Sequence, residues 1–342
     1  MPSRSPSPSP SPLPPELTTW ITEAALQHPD DLPAHLAQRL GVDLRSGQAF
    51  CRQLRALQWL RREGSSRRPR WHPGPLRQVV RRYALDGLQE DRAWRQHFAP
   101  AFELPPNVAE IAEQVFTELV NNAVDHSGGS LVTVSMRQTP WQCQLLVSDD
   151  GRGVFDSLGQ QFQLDDPAQA MLQLALGKLS SQPERHTGRG LFFTARLADV
   201  FDLHANGAAF QQRDWQRSQW HAGRPACQHG TSVYVALRLD TQRTLDEVLR
   251  QHSLDGQGYG FERTVLPLRL AGGLSSRAQA RRVAERLPLF RRVELDFDGL
   301  PSVGHAFADE LLRVFGRAHP QVELVPVNAA PSVAALLRSV VA

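Results

Sequence analysis

Cysteine, lysine and long apolar runs are scarce in this chain of 342 residues. The three cysteines, Cys51, Cys143 and Cys227, are scattered and include no CxxC pair. This pattern argues against a disulfide framework and a cysteine-based zinc site, and it predicts free thiols in a reducing cytoplasm. No apolar run approaches the roughly 18 residues that a membrane-spanning helix requires. We therefore expect a soluble, cytoplasmic protein without a membrane partner.

The beginning of the chain also lacks an apolar segment. It alternates proline and serine, so it does not have the apolar core of a secretory leader. Such a composition is too polar to pack, and residues 1–15 are predicted to form a disordered tail. The remaining length is sufficient for two or three domains, each with a core of its own.

Arginine carries almost all of the positive charge, because Lys178 is the only lysine in the sequence. A GC-rich genome would account for the use of arginine in place of lysine. It does not account for the nine arginines that lie between Arg45 and Arg82, where Glu63 is the only acid. The crowding of basic residues in this segment needs another explanation.

Residues 16–75 show helical spacing of apolar residues in three segments, followed by a basic stretch at 61–71. This order resembles a winged helix-turn-helix domain, in which the third helix reads DNA and the wing contacts phosphates. The alternative is a small helical protein-binding domain with a solvated basic face. The candidate DNA-binding residues are Gln48, Arg52 and Arg55 on the third helix and Arg67, Arg68 and Arg70 in the wing.

The rest of the chain is predicted to contain two further domains, so the whole is a multidomain protein of α+β and α/β class. We interpret residues 76–104 as a helical connector, 105–240 as a domain of alternating helices and strands, and 241–261 as a linker. Residues 262–342 have a βαβαβα pattern and are predicted to form a separate small domain. Within 105–240 the pattern predicts helices at 107–126, 167–179 and 189–198, and strands at 131–136, 143–148 and 232–239.

Four short motifs follow one another in the middle domain. They run from Glu118 to His126 (ELVNNAVDH), from Asp149 to Gly153 (DDGRG), from Gly188 to Gly190 (GRG), and over Gly230 and Thr231. Each motif is weak evidence when taken singly.

The first motif places an acid and an amide on one face of a helix. Glu118 and Asn122 are four residues apart, so they lie one turn apart on the same face. Together they can orient a water molecule and hold a magnesium ion through oxygen ligands.

The other motifs suit a nucleotide. Asp149 ends a strand, where its carboxylate can accept a hydrogen bond from an adenine amino group. Gly151 and Gly153 let the backbone approach a base closely. Gly188 and Gly190 begin a helix, where free amides and the positive end of the helix dipole favour a phosphate.

Together the motifs resemble the GHKL ATPase superfamily, which includes DNA gyrase, MutL, histidine kinases and anti-sigma-factor serine kinases. The resemblance implies a Bergerat-type α/β sandwich over about residues 105–240 that binds ATP with Mg²⁺. It implies that Asn122 binds magnesium, that Glu118 is the general base where ATP is cleaved, and that Asp149 reads adenine. Thr231 would support Asp149 through a water molecule.

The resemblance also implies an ATP lid at residues 154–187, from which Lys178, Arg185 or Arg189 could meet the phosphates. The nucleotide-binding residues are then Asn122, Asp149, Gly151, Gly153, Lys178, Gly188, Arg189, Gly190 and Thr231. The segment before the site carries no dimerisation helix with a phosphoacceptor histidine, which argues against a sensor histidine kinase.

The last domain resembles STAS domains, the fold of anti-sigma-factor antagonists, in the segment 293–312. In antagonist STAS proteins a serine at the start of the helix after this strand is phosphorylated. Here residues 304–307 supply no hydroxyl group, and Ser302 lies on the preceding loop. Asp309 and Glu310 fall in the first helical turn, where negative charge is favourable in any helix.

The sequence thus predicts an ATP-binding regulator in which a GHKL switch controls a DNA-binding winged helix through a STAS-like module. The alternative is a serine/threonine protein kinase or ATPase of the anti-sigma type whose N-terminal domain docks a protein. A third reading is a scaffold with structural nucleotide. The expected partners are DNA, a protein of the sigma or anti-sigma type, and a second copy of the chain.

Overall fold

The computed structural model describes residues 13–163, 166–178, 188–213, 216–221, 229–271 and 273–341. Most of the predicted tail at 1–15 lies outside the described residues, as do Arg185 and part of the predicted lid. No helix in the described ranges combines the length and the apolar character needed to cross a lipid bilayer.

The N-terminal segment folds into three helices and a hairpin around a core of its own. Glycine shapes the junction between the second and third helices: Gly41 ends the second with a φ of 66°, and a Cβ atom on Gly47 would lie 2.2 Å from the Pro33 carbonyl oxygen. The core includes Leu17, Ile21, Leu36, Phe50, Leu54 and Trp71. The elements are α1 (Leu17–Gln27), α2 (Leu32–Leu40), α3 (Leu44–Ala56), β1 (Leu60–Gly64) and β2 (Pro69–Pro73).

The middle of the chain is built on a seven-stranded sheet with the order β3-β4-β5-β9-β6-β7-β8, in which every pair of neighbours is antiparallel. Burial alternates along β4, as expected for a sheet with one covered face. The strands are β3 (Arg77–Ala84), β4 (Leu131–Gln138), β5 (Gln142–Asp149), β6 (Val200–Ala205), β7 (Ala208–Arg213), β8 (Gln216–His221) and β9 (Thr231–Arg238).

Helices cover one face of this sheet. The longest buries an apolar stripe with spacings of three and four residues, including Val108, Ile111, Val115 and Leu119. The helices are α4 (Glu90–Ala93, continuing as a π-helical turn over Trp94–Phe98), α5 (Pro106–His126), α6 (Val154–Phe162), α7 (Pro167–Leu176), α8 (Gly190–Leu197) and α9 (Leu245–Arg250).

Two parts of this sheet differ from the sequence prediction. Residues 77–84, predicted as part of a helical connector, form the edge strand β3, whose arginines hide the alternating pattern of a strand. Strands β6, β7 and β8 were not predicted. The sequence does contain a signal for β6 and β7, because the Asn206-Gly207 pair is typical of a tight hairpin turn. Both residues have positive φ in the turn between the two strands.

The C-terminal segment has the predicted βαβαβα order around a parallel three-stranded sheet, β10-β11-β12. Its strands are β10 (Arg263–Pro267), β11 (Arg292–Asp296) and β12 (Glu323–Val327). Its helices are α10 (Arg277–Ala284), α11 (His305–Ala308, continuing as a π-helical stretch over Asp309–Phe315), α12 (Gly316–Ala318) and α13 (Pro331–Val341).

Asp309 and Glu310 have a packing role beyond the effect of the helix dipole. Both side chains are buried. Arg313 Nε donates to Asp309 at 2.5 Å, and Arg281 Nε donates to Glu310 at 2.6 Å. Glu310 therefore ties the π-helical stretch to α10, whereas the bond between Arg313 and Asp309 lies within the stretch.

The segment 241–261, which was predicted to be a linker, is packed against both neighbouring domains. It contains α9, and Val248 and Phe261 are buried. One hydrophobic cluster runs from the seven-stranded sheet into the C-terminal domain, whereas the N-terminal helices have a separate cluster. The middle and C-terminal domains therefore share a continuous core.

Candidate nucleotide-binding site

A pocket of about 270 Å³ lies between α5, the ends of β5 and β9, the start of α6 and the start of α8. It brings together eight of the ten residues that the sequence predicts for catalysis and nucleotide binding: Glu118, Asn122, Asp149, Gly153, Gly188, Arg189, Gly190 and Thr231. These residues are up to 113 positions apart in the chain, since Glu118 and Thr231 mark the first and last of them. Gly151 and Lys178 do not line the pocket.

Asp149 ends β5 with one oxygen bound to the backbone. Its Oδ1 atom accepts from the Gly151 N–H at 2.9 Å and from the Thr231 N–H at 3.2 Å. Both of these hydrogen bonds are made to Oδ1, so Oδ2 can accept a hydrogen bond from a donor in the pocket. Burial raises the pKa of Asp149 above its ordinary value, and the two N–H donors oppose this rise.

The Gly230-Thr231 motif forms the wall beside Asp149. Gly230 has a φ of +77°, and a Cβ atom there would lie 2.0 Å from the Asp149 carbonyl oxygen, so only glycine fits. The Thr231 hydroxyl accepts from the Val154 N–H at 3.0 Å. Thr231 therefore joins β9 to the first residue of α6.

The face of α5 supplies an acid and an amide, as the four-residue spacing predicted. Glu118 Oε1 accepts from Gln114 Nε2 at 2.9 Å. Asn122 Nδ2 is buried and has no hydrogen-bond partner in the described residues. A buried amide without a partner is costly, so its position on the pocket wall favours a ligand there.

The start of α8 approaches α5 closely at the glycine motif. A Cβ atom on Gly190 would lie 2.4 Å from Glu118 Oε2 and 3.6 Å from Asn122 Nδ2. Glycine is thus required to place the first amides of α8 next to these two side chains. Gly188 has a φ of 65°, in the left-handed region that favours glycine.

Gly151 and Gly153 were expected to let the backbone approach a base. In the structure they instead allow close contacts with Ser127 and Asn206 of the protein itself. A Cβ atom on Gly151 would lie 2.2 Å from the Ser127 carbonyl oxygen. Gly153 has a φ of +88°, and its Cβ would lie 2.3 Å from Asn206 Oδ1. Asn206 also accepts from the Asp156 N–H at 3.2 Å, which fixes the start of α6.

The two cations predicted to meet phosphates lie in different places. Arg189 lines the pocket, and its guanidinium also reaches the Tyr259 carbonyl oxygen at 3.4 Å. Lys178 points away from the pocket, because its Nζ donates to the Leu289 carbonyl oxygen at 2.7 Å and lies 4.5 Å from the centre of the Phe290 ring.

Sequence reasoning missed the apolar part of the pocket. Val147 and Val233 come from the central strands, and Leu158 comes from α6. The apolar residues of the segments that form β5 and β9 were the available signal, but they do not show which side chain faces a cavity. An apolar wall of this kind suits the flat face of a base.

The residues present fit magnesium and a nucleotide. The described residues contain no cluster of three or more His, Cys, Asp or Glu side chains of the kind that holds a metal ion by itself. Magnesium is commonly bound by one or two side chains together with substrate phosphates. Glu118, Asn122 and the first amides of α8 supply that kind of environment.

The predicted DNA-binding residues are all on the surface of the N-terminal domain. Gln48, Arg52 and Arg55 are exposed on α3. Arg67, Arg68 and Arg70 are exposed in and beside the loop that joins β1 to β2. Arg70 Nε lies 3.7 Å from Asp30, also an exposed side chain.

A helix-covered antiparallel sheet with an acid and an amide facing a glycine-initiated helix is the arrangement that the resemblance to the GHKL ATPases predicts. Sequence comparison agrees: residues 83–210 match the family described as "Histidine kinase-like ATPase domain". Residues 279–334 match the family described as "STAS-like domain of unknown function (DUF4325)". The chain therefore contains a histidine kinase-like ATPase domain, which implies nucleotide binding, and a C-terminal STAS-like domain.

Neither match extends to residues 16–75. The search among curated proteins returned no match for the chain.

Proposed function

We propose that this protein is an ATP-binding regulator in which Mg-ATP controls a DNA-binding winged helix through the STAS-like domain. The observation that carries the proposal is the single pocket that joins Asp149 and Thr231 to Glu118, Asn122 and the start of α8. Asp149 would select adenine, and α8 would receive the phosphates. When bound, magnesium would neutralise phosphate charge beside Asn122.

The STAS-like domain holds the described end of the lid. Thr264 Oγ1 donates to the Leu176 carbonyl oxygen at 2.8 Å. Arg286 donates to Gln173 Oε1 and to the Gly177 carbonyl oxygen, each at 2.9 Å. Any movement of the lid upon nucleotide binding therefore acts on these contacts, which gives the switch a physical route.

The N-terminal domain is tied to the sheet as well. The Gln78 N–H of β3 donates to Thr22 Oγ1 of α1 at 2.9 Å. Arg81 forms an ion pair with Glu23 of α1 at 2.5 Å. Edge strand β3 thus connects the ATPase sheet to the three helices and the hairpin.

The winged-helix proposal rests on shape and charge. Residues 41–43 form a three-residue turn between α2 and α3, and Gly41 begins it, as in helix-turn-helix units. The same domain carries exposed arginines on α3 (Arg52 and Arg55) and in and beside the hairpin loop (Arg67, Arg68 and Arg70). Phosphate contacts from such arginines give binding that weakens with salt.

DNA binding by the purified chain tests the coupling. We expect selected duplex DNA to bind with an affinity that changes at least fivefold between nucleotide-free protein and saturating Mg-ATP. Equal affinity in the two states would contradict the coupling. The double substitution Arg52→Gln, Arg55→Gln should weaken DNA binding tenfold or more, whereas Arg338→Gln, an exposed arginine on α13, should leave it unchanged.

An enzyme of the anti-sigma kinase type is the second candidate, and the position of Glu118 favours it. The carboxylate lies against the start of α8, where the terminal phosphate of ATP would be. Turnover of radiolabelled ATP, alone and with candidate protein acceptors, decides between switch and enzyme. If the protein is an enzyme, Glu118→Ala should lower the rate by about 10²–10⁴-fold, the usual contribution of a general base.

Nucleotide that stays bound and uncleaved through purification would instead favour a scaffold. A cytoplasmic location, a protein partner of the sigma or anti-sigma type and a homodimer complete the proposal. Size-exclusion chromatography with light scattering measures the last of these.

A further inference from the structure

A second cavity, of about 370 Å³, lies between the ATPase domain and the STAS-like domain. Its walls come from α7 and α8, from strands β6 and β7 of the large sheet, and from β10 of the small sheet. Most of these side chains are apolar, among them Met171, Phe201, Phe210 and Val265. The cavity can therefore accept an apolar group of moderate size.

Three arginines line this apolar cavity: Arg196, Arg213 and Arg269. Arg213 forms a two-pronged ion pair with Asp202. Arg269 Nη1 lies 3.6 Å from Asp298, which is too long for a hydrogen bond. Arg269 Nε is buried and has no hydrogen-bond partner in the described residues.

Arg196 has no carboxylate partner in the ranges that the structure describes. It donates to the Phe192 carbonyl oxygen at 3.1 Å, and its guanidinium lies 3.3 Å from the centre of the Phe192 ring. Burial lowers the pKa of Arg196 to about 9. Among the described residues the three arginines thus face two carboxylates, Asp202 and Asp298, and one positive charge in an apolar setting has no anion beside it.

We propose that this cavity binds a small amphipathic carboxylate, with its anionic head on Arg196 and Arg269 and its apolar tail against Phe201 and Phe210. A single negative charge balances the single excess positive charge. Guanidinium groups suit a planar carboxylate, which they can bind through two parallel hydrogen bonds. The apolar wall excludes small hydrophilic anions, since it would leave them without favourable contacts for the rest of their surface.

The proposed carboxylate site shares a wall with the nucleotide pocket. Leu174, Leu191 and Phe192 line both cavities. Leu191 and Phe192 directly follow Gly190, whose amide region is the expected phosphate site. A tail packed against these side chains would hold α8 in the position that forms the nucleotide pocket, so it should favour nucleotide binding.

Calorimetric titration of the full chain with octanoate tests the site. We expect octanoate to bind at least tenfold more tightly than 1-octanol, which lacks the charge, and than acetate, which lacks the tail. Arg196→Gln should weaken octanoate binding tenfold or more, and Arg196→Lys should retain part of it. Arg291→Gln, an exposed arginine on the STAS-like domain, is the matched control and should bind like the parent.

A cavity-filling substitution tests the site independently, so the proposal can still be judged if the arginine variants do not fold. Ala195 lines the cavity, so Ala195→Leu should occupy space needed by the tail and weaken octanoate binding while the positive charge stays. Octanoate binding equal to that of octanol, or undiminished binding by both folded Arg196→Gln and Ala195→Leu proteins, would overturn the proposal.

The link to the nucleotide pocket rests on the proposed function, whereas the carboxylate site does not. A fluorescent ATP analogue should bind at least fivefold more tightly in saturating octanoate, and ATP should raise octanoate affinity by the same factor. Unchanged affinity for the analogue would overturn the link alone. Absence of analogue binding under all conditions would count against the nucleotide function, and the octanoate titration would still decide the site.

Discussion

At the scale of single residues, Asp149 shows how the backbone prepares a side chain for recognition. Two backbone N–H groups bind the same carboxylate oxygen, Oδ1. The side chain is thereby held in one orientation with its second oxygen free of those donors. A carboxylate placed this way accepts a hydrogen bond and excludes a base that presents an acceptor at the same place.

Asp149→Asn is therefore a sharp test of adenine recognition. The amide oxygen can keep the two backbone bonds, but an NH₂ group then takes the place of Oδ2 and meets the adenine amino group, donor against donor. We expect ATP affinity to fall by about 10- to 150-fold, the equivalent of roughly 1.5–3 kcal/mol for a hydrogen bond to a charged group. Calorimetry measures it. Asp86→Asn, at an exposed position outside both cavities, is the control; unchanged ATP affinity in the Asp149 variant would contradict the assigned role.

Gly190 is the residue whose missing side chain brings α8 to α5. Gly190→Ala should displace Glu118, since the new Cβ would lie 2.4 Å from its Oε2 atom. We expect nucleotide affinity to fall tenfold or more with little loss of thermal stability. Gly316→Ala is matched to it, because Gly316 is also helical and a Cβ there meets nothing within 4 Å. Equal nucleotide affinity in the two variants would show that the close approach is not needed.

At the scale of elements, the end of α7 joins the lid to the STAS-like domain. Gly177 follows the helix with a φ of 84° and a ψ of −178°, a conformation open essentially to glycine alone. Its carbonyl oxygen accepts from Arg286, and the next residue, Lys178, donates to Leu289. The conformation of one residue thus directs the chain from the lid into the domain interface.

Gly177→Ala should loosen this junction. The new Cβ would lie 2.6 Å from the Phe261 ring in addition to the backbone strain, which costs on the order of 1–3 kcal/mol. We expect chemical denaturation to show a loss of at least that size. Gly87→Ala provides the comparison, since Gly87 has a φ of +70° but its Cβ would meet nothing within 4 Å. A loss no larger than in Gly87→Ala would mean that the ring contact adds nothing.

At the scale of the whole molecule, aromatic side chains link the nucleotide site to the STAS-like domain. The Phe192 ring of α8 lies 4.5 Å from the Phe261 ring, and Phe261 lies 5.4 Å from Phe290, measured between ring centres. His252 is packed edge-on against Phe192 at 4.9 Å. These contacts make the ATPase and STAS-like domains one packed body in which both sites abut the same aromatic cluster.

His252 gives this body a pH-dependent stability. Burial, aided by the nearby Arg196 charge, lowers the pKa of His252 to about 4 from 6.5. The unfolded chain takes up a proton near pH 6.5 and the folded chain does not, so stability is full above pH 6.5 and is lost as the pH falls toward 4. The shift corresponds to a loss on the order of 3 kcal/mol.

Denaturation at several pH values between 7 and about 4 tests this expectation. His252→Asn should be less stable at neutral pH, because it loses ring contacts, but its stability should decline less on acidification. His305→Asn, an exposed position, should keep the parent slope. An identical decline in the parent and in His252→Asn would assign the acid sensitivity to other groups.

Much of the candidate site could be predicted because its residues are local in sequence or follow a helical period. The four-residue spacing of Glu118 and Asn122 is sufficient to place them on one face of α5, and Asp149 at the end of an apolar run implies a strand end. The ATPase and STAS-like predictions are confirmed by the family matches. The DNA-binding winged helix remains a prediction.

Other features could not be predicted because they depend on contacts between distant segments. Strand β3 is rich in arginine, and it is a strand because it pairs with β4 and supports α1. Lys178 lies in the segment from which phosphate contacts were expected. Its side chain instead points to the STAS-like domain, where Nζ donates to the Leu289 carbonyl oxygen and lies near the Phe261 and Phe290 rings.

The amino-acid sequence alone determined the glycines, the acid and the amide of the nucleotide motifs and the order of helices and strands that carries them, since these follow from local geometry and periodicity. Only the tertiary structure decided that Val248 and Phe261 of the segment 241–261 are buried, that Lys178 points away from the phosphate site, and that two cavities share the wall at Leu191 and Phe192. The reason is physical: burial and charge pairing between segments that are distant in the sequence depend on which surfaces meet, and no local pattern records that.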